Sequence, residues 1–173
     1  MPDLVTHLCA ALLPAGLLRR IPVAEFAVGA VLPDVASRVP SIALELLRRG
    51  GVPIHEGISH PISVIHTPLG AGALAILTAE LLAPELRARG RRWILAGVAV
   101  HFALDLAQDH DGNGYYVLFP LSTWDWEAAL ISSEATVSLA PWLAGITALV
   151  WGWRWWRRRP SEPPTADGPP PSA

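Results

Sequence analysis

The stretch GVAVHFALDLAQ holds two groups able to bind or activate something, His101 and Asp105, in an otherwise apolar segment. Four residues apart on a helix, they share one face with Cβ atoms about 5–6 Å apart. That spacing lets an imidazole nitrogen and a carboxylate oxygen reach one cation, whose ligands sit at about 2.0–2.2 Å. The alternative is a His–Asp hydrogen bond that satisfies two buried groups. Other residues of ligand type, His7, Asp34, His60 and His66, stand at expected helix ends elsewhere in the chain. Singly, each has an ordinary role: His7 can cap a helix or face solvent, Asp34 can be an N-cap, and His60, like His55, can be a loop histidine. As a set they offer the mixed nitrogen and oxygen donors that suit a divalent cation, zinc first among them.

DHDGNG at residues 109–114 suggests a different metal site. Asp109, Asp111, Asn113, Gly114 and Tyr115 match an EF-hand calcium loop at its positions 1, 3, 5, 6 and 7. Position 12 falls on Pro120, which has no carboxylate and cannot lie inside the helix that an EF-hand begins there. Without a closing Glu or a partner hand, the stretch reads as a connector in which Gly112 and Gly114 make tight turns.

The elements around these groups must position them. Four stretches carry no charge, residues 4–18, 57–79, 93–104 and 135–153. The last approaches the ~20 residues needed to cross a bilayer. Trp142 lies towards one end of it, and Trp151, Trp153, Trp155 and Trp156 at the other, followed by Arg157, Arg158 and Arg159. That is an aromatic belt with a basic stop, and it makes this stretch the best transmembrane candidate. A helix over residues 67–82 has Thr67 and Pro68 as its cap and first turn, with Gly70 and Gly72 allowing close packing against a neighbour. A connector over residues 84–92, containing Arg87, Arg89, Arg91 and Arg92, leads to a helix from Trp93 to about Gln108. A shorter apolar element over residues 24–32 ends at Pro33 and Asp34. Residues 41–49 look like an amphipathic surface helix, broken by Gly50-Gly51-Val52-Pro53. No strand-like alternation is present. The expected fold is all-α, an integral membrane helical bundle with about four apolar helices over residues 1–159. A disordered Pro-rich tail follows over residues 160–173.

Composition supports a lipid-facing protein. The chain of 173 residues is 51% hydrophobic and 16% charged, against about 25% charged in soluble domains. All 13 basic residues are Arg and the net charge is -2, which gives no general attraction to nucleic acid. Cys9 is the sole cysteine, a small core hydrophobe with no intrachain disulfide to make. The apolar N-terminal run has Asp3 where a signal peptide has a basic n-region, and Arg19 and Arg20 follow it. It reads as a retained helix.

Several short motifs stand in order: Thr6-His7, then Gly29-Ala30-Val31-Leu32-Pro33-Asp34, a His-rich segment entering a helix, and His101-x-x-x-Asp105. Gly114-Tyr115-Tyr116-Val117-Leu118-Phe119-Pro120 closes the series. Over residues 6–122 this order resembles the bacterial membrane-bound metal-dependent hydrolases, a family of small inner-membrane proteins. The family often has His-Arg-x-x-Thr-His-Ser. Here His55-Glu56-Gly57-Ile58-Ser59-His60-Pro61 keeps the spacing without the Arg or the final Ser. His66-Thr67-Pro68-Leu69 resembles the His-Ser-Leu form of other members. Both His60 and His66 therefore stand as the third-segment ligand, with His66 favoured by its place beside a helix start. The order is also similar to zinc-dependent phospholipase C, an all-helical enzyme with a multinuclear zinc site. His110 and Glu134 would match its next His and its later Glu.

The resemblance implies a multi-pass inner-membrane hydrolase dependent on a divalent metal, with zinc as the expected ion. His7, Asp34, His66, His101 and Asp105 are its ligands, His60 and His110 further candidates, and Asp109 or Glu134 the base. Its substrate would be a phosphoester or lipid-derived molecule, its partner membrane lipid, and nucleic acid none. The competing reading is a non-catalytic membrane protein with a structural metal or a scaffold role. By the positive-inside rule, the arginines of residues 84–92 and 154–159 put those segments and the tail in the cytoplasm. Arg19 and Arg20 follow them, and all five ligands fall towards the other side. Arg38, Arg48 and Arg49 lie on the wrong side, where an interfacial helix would carry them.

Overall fold

The computed structural model describes residues 4–109 and 114–158, apart from the side chains of Glu56, Ser59, His60, Pro61 and Ser133. The expected tail, and Gly112 of the connector, lie outside the described residues. Six α-helices make up most of what is described: α1 Leu4–Leu17, α2 Val23–Arg49, α3 Ser59–Ile65, α4 Pro68–Glu80, α5 Pro84–Ala107 and α6 Ser133–Trp156. Four two-residue strands, absent from the sequence reading, tie the polar segment after α5. β1 (Gln108–Asp109) pairs in parallel with β4 (Ile131–Ser132), and β2 (Tyr115–Tyr116) antiparallel with β3 (Asp125–Trp126). Such short pairings leave no alternation to read.

The expected break at Pro33 does not occur. Residues 24–32 and 41–49 belong to one continuous α2 of 27 residues, with Pro33 and Pro40 inside it. A proline inside a helix loses one backbone hydrogen bond and crowds the preceding turn, a cost of ~3 kcal/mol. Packing on α5 offsets it. A Cβ on Gly29 would run into the Ile94 carbonyl, and one on Gly97 would lie 2.7 Å from the Ala30 nitrogen. The two helices thus touch backbone to backbone, as small residues permit. α2 stops where expected, at Gly50, and Gly51 follows in the left-handed region at φ 81°.

The arginine-rich stretch over residues 84–92 is likewise helical, not a connector. Pro84 takes the first position of α5, where its missing N–H costs nothing, and arginine is a good helix former. Glu80 receives Arg91 at 2.6 Å and Arg87 at 3.5 Å, which fixes the end of α4 beside the start of α5. Further along, Ala71, Ala75 and Ala79 of α4 form a buried ridge against Ile94, Val98 and Phe102 of α5. The α4 start matches expectation, with the Thr67 hydroxyl accepting from the Gly70 N–H at 3.2 Å. Gly70 sits against the Val64 carbonyl, whereas a Cβ on Gly72 would meet no heavy atom within 4 Å, so only the first of these glycines serves packing.

Two helices are long and apolar enough to cross a membrane, α2 and the Glu134–Trp156 part of α6. The second is the expected candidate; the first was hidden by its prolines. Leu4–Leu17 and Pro68–Glu80 are shorter apolar helices. Only 17% of the most apolar window of α6 is buried, so most of its side chains, Val137, Trp142 and Leu149 among them, face outward.

Candidate metal centre

The ligand-type side chains come from four elements of the bundle. His7 lies on the first turns of α1, Asp34 follows Pro33 in the middle of α2, and His101 and Asp105 occupy adjacent turns of α5. His66 is the C-cap of α3 at φ -89° and ψ 36°, just before the Thr67 cap of α4. The α2–α5 contact through Gly29 and Gly97 brings Asp34 to His101, and α1 packs on α2. His7, Asp34, His101 and Asp105 are at most 1% exposed, and His66 8%. Five groups with charge or ligand capacity are thus withdrawn from water in an apolar bundle.

Their atoms converge. His7 Nε2 is 3.3 Å from Asp105 Oδ1 and 3.8 Å from Asp34 Oδ2. His66 Nε2 is 3.3 Å from Asp34 Oδ1 and 3.8 Å from Asp105 Oδ2. His101 Nε2 stands 3.2 Å from Asp105 Oδ2 and 3.2 Å from His66 Nε2. Ligands at ~2.1 Å from a tetrahedral ion lie ~3.4 Å apart, so these separations are those of atoms facing a shared cation. Two overlapping trios could hold an ion, His7 with His101 and Asp105, and Asp34 with His66 and His101.

Hydrogen bonding points the same way. His101 Nδ1 donates to the Ala30 carbonyl at 2.9 Å, which leaves the Nε2 lone pair facing the cluster. The Tyr115 hydroxyl lies 2.5 Å from both His66 Nδ1 and the His66 carbonyl. Its single proton goes to the carbonyl, so His66 Nδ1–H donates to the phenol oxygen and Nε2 again carries the lone pair. A ligating histidine whose second nitrogen is held in this way is the usual arrangement at metal sites. Burial, then the carboxylates of Asp105 and Asp34, push the Tyr115 phenol above its ordinary range, so it stays a neutral hydrogen-bonding group. By contrast, both nitrogens of His7, Oδ2 of Asp34 and both oxygens of Asp105 are buried without a hydrogen-bond partner. Orphaned groups of this kind each cost about 1–3 kcal/mol, and a cation among them removes that cost.

Asp109 is half-buried in β1 and Glu134 exposed in the first turn of α6. Neither joins the trios. The His60 side chain, and His110, Asp111 and Asn113 of the EF-hand-like loop, lie outside the described residues. Gly114 was expected to make a tight turn, and its φ is not positive. It lies where a Cβ would come within 3.0 Å of Asp125 Oδ2 and the Trp126 nitrogen, so close approach of β3 requires it. Sequence reasoning missed Tyr115 as a partner of His66, its only signal being a tyrosine shortly after the His-Asp pair. It also missed Arg38, whose Nε donates to Asp34 Oδ1 at 2.7 Å. A cavity of about 390 Å³ adjoins the cluster, with Arg38, His66, Tyr115 and Tyr116 in its wall.

No protein-family model, curated protein or solved structure matches this chain.

Proposed function

We propose that the protein is a membrane-embedded hydrolase dependent on a divalent cation, zinc being the first choice from its three imidazoles and two carboxylates. The observation that carries this reading is the convergence of His7 from α1, Asp34 from α2, His66 at the end of α3, and His101 and Asp105 from α5, at the spacing of atoms around one or two cations. An ion held there would lower the pKa of a water it binds towards ~7 and offset charge developing on a phosphoryl or acyl oxygen. The chain's own part is to fix the imidazole tautomers through Ala30 and Tyr115, to exclude bulk water around Asp34 and Asp105, and to leave His66 at a cavity wall. That cavity favours catalysis over the structural reading, because structural sites are closed whereas catalytic ones keep an open position. The outward apolar faces of α2 and α6 support a place in the inner membrane.

Chelator-treated protein should be inert. Returning zinc to it should restore hydrolysis of chromogenic phosphoesters or carboxylic esters, and should not do so for Asp105→Asn. Metal-loaded wild type that hydrolyses none of them would favour the structural metal instead.

A further inference from the structure

At the opposite end of α1 from His7, a cleft of about 180 Å³ is lined by Arg19, Arg154, Arg157 and Arg158 together with Leu17 and Trp153. Arg154 builds it. Its Nη1 donates to the carbonyls of Ala15 and Gly16 at 2.7 and 3.2 Å, acceptors that the end of a helix leaves unpaired. A Cβ on Gly16 would lie 2.8 Å from Val150, so α1 and α6 meet closely here. Arg19, just beyond α1, therefore faces the same cleft as Arg157 and Arg158, just beyond α6. Among the described residues no carboxylate lines the cleft, and none pairs with these three arginines. Glu25 and Glu80 are taken by Arg89 and by Arg87 and Arg91. The Arg157 guanidinium lies 4.3 Å from the centre of the Trp153 ring. Stacking of this kind uses the face of the group and leaves its in-plane N–H donors to a ligand. Like charges gathered without a counterion repel one another, and an anion in the cleft would relieve that cost.

The surroundings say which anion. Leu17, Leu18, Trp153, Trp155 and Trp156 are exposed at this end, as residues at a headgroup boundary are. A second cleft of about 520 Å³ shares Leu17 and Arg19 with the first and adds Leu18, Ile21 and Trp93, an apolar flank for acyl chains. We propose that the cleft holds the headgroup of an anionic phospholipid as a bound structural lipid, away from the metal cluster. Arg19, Arg157 and Arg158 are its donors, and its chains lie along Leu17, Leu18 and Ile21. Basic pockets between membrane helices take headgroups rich in phosphate, and three guanidiniums match a lipid with two phosphates better than one with a single charge. This rests on the membrane setting of the proposed function, not on its metal or its chemistry.

The test measures thermal stabilisation of the full chain in dodecyl maltoside micelles, with bound metal determined in the same samples. The probes are cardiolipin, phosphatidylcholine and inorganic pyrophosphate. Cardiolipin should stabilise at a concentration at least about tenfold lower than either other probe, since a ligand of the folded state raises its stability by mass action. Arg157→Gln with Arg158→Gln should abolish that advantage. Arg48→Gln with Arg49→Gln, an equal loss of charge at the end of α2, should keep it. Equal responses to cardiolipin and pyrophosphate would overturn the proposal in favour of a soluble anion. Equal responses to cardiolipin and phosphatidylcholine, or equal losses in the two double variants, would overturn it as well. So would a preference that emerges only after Glu162→Gln with Asp167→Asn, which would give the cleft to the chain's own carboxylates. A chain that stays dispersed without detergent would sink the membrane setting and the proposal with it. Metal-bearing, detergent-dependent protein without the preference sinks this inference alone. Metal-free protein that shows the preference keeps the lipid site and sinks the hydrolase reading.

Discussion

Tyr115 decides how His66 presents itself. Its hydroxyl fixes the proton on His66 Nδ1 and so the lone pair on Nε2. Tyr115→Phe should therefore keep the fold and lower metal affinity by about 10–100-fold, as loss of an outer hydrogen bond does. Competition against a chromogenic chelator measures it, and unchanged affinity would remove Tyr115 from the site. Acid should act on the whole set. Imidazoles ligate as neutral bases and carboxylates as anions, so binding displaces protons and weakens as pH falls. Metal retained in equilibrium dialysis should drop between about pH 8 and about pH 5, and flat retention would speak against histidine ligation. The five side chains that converge were legible because ionisable groups are conspicuous in apolar helices. Tyr115 and Arg38 were not, since each acts through a tertiary contact that no spacing encodes.

Helix packing, rather than loop geometry, holds the His-Asp cluster together. Asp34 and His101 belong to α2 and α5, which approach through Gly29 and Gly97. Gly97→Leu should force those backbones apart, destabilise the protein by about 1–3 kcal/mol or more, and release metal. Gly72→Leu, at a position open to 4 Å, should do neither. Thermal unfolding in detergent with metal analysis reads both variants, and a Gly97→Leu protein that keeps its stability and metal would contradict the packing account. Here the sequence misled in a physical way. Pro33 carries a local penalty, so a break beside Asp34 was the reasonable reading, but contacts with α5 reside in residues far along the chain and outweighed it. The arginines of residues 84–92 looked like a solvated connector because charge is visible in sequence, whereas their pairing with Glu80 is not. The Thr67 cap and the apolar run of α6 were readable because both signals are local.

The molecule has two unlike ends. Arg19 shares a cleft with Trp153, Arg154, Arg157 and Arg158, and a second cleft with Arg20 and Trp93. Arg89 pairs with Glu25 at 3.1 Å, near the start of α2. In the membrane setting proposed above, the positive-inside rule would make this end cytoplasmic. Arg48 and Arg49 do not need a separate interfacial helix, because they end α2 itself. At ~1.5 Å per residue, its 27 residues outreach a hydrocarbon core of ~30 Å, so its last turns can project into the far headgroups. Cysteine at exposed Thr123 in a Cys9→Ser background should react with a membrane-impermeant thiol reagent on intact cells, and cysteine at Ala166 should not. The reverse pattern would put the site on the cytoplasmic face. Beneath all of this lies one claim, that the buried His-Asp cluster holds a transition metal. It is tested most directly by elemental analysis of the full chain purified in detergent without chelators, beside His101→Ala. The account predicts stoichiometric metal, zinc foremost, in the wild type and loss of most of it in the variant. Metal-free wild type, or equal metal in both proteins, would contradict it.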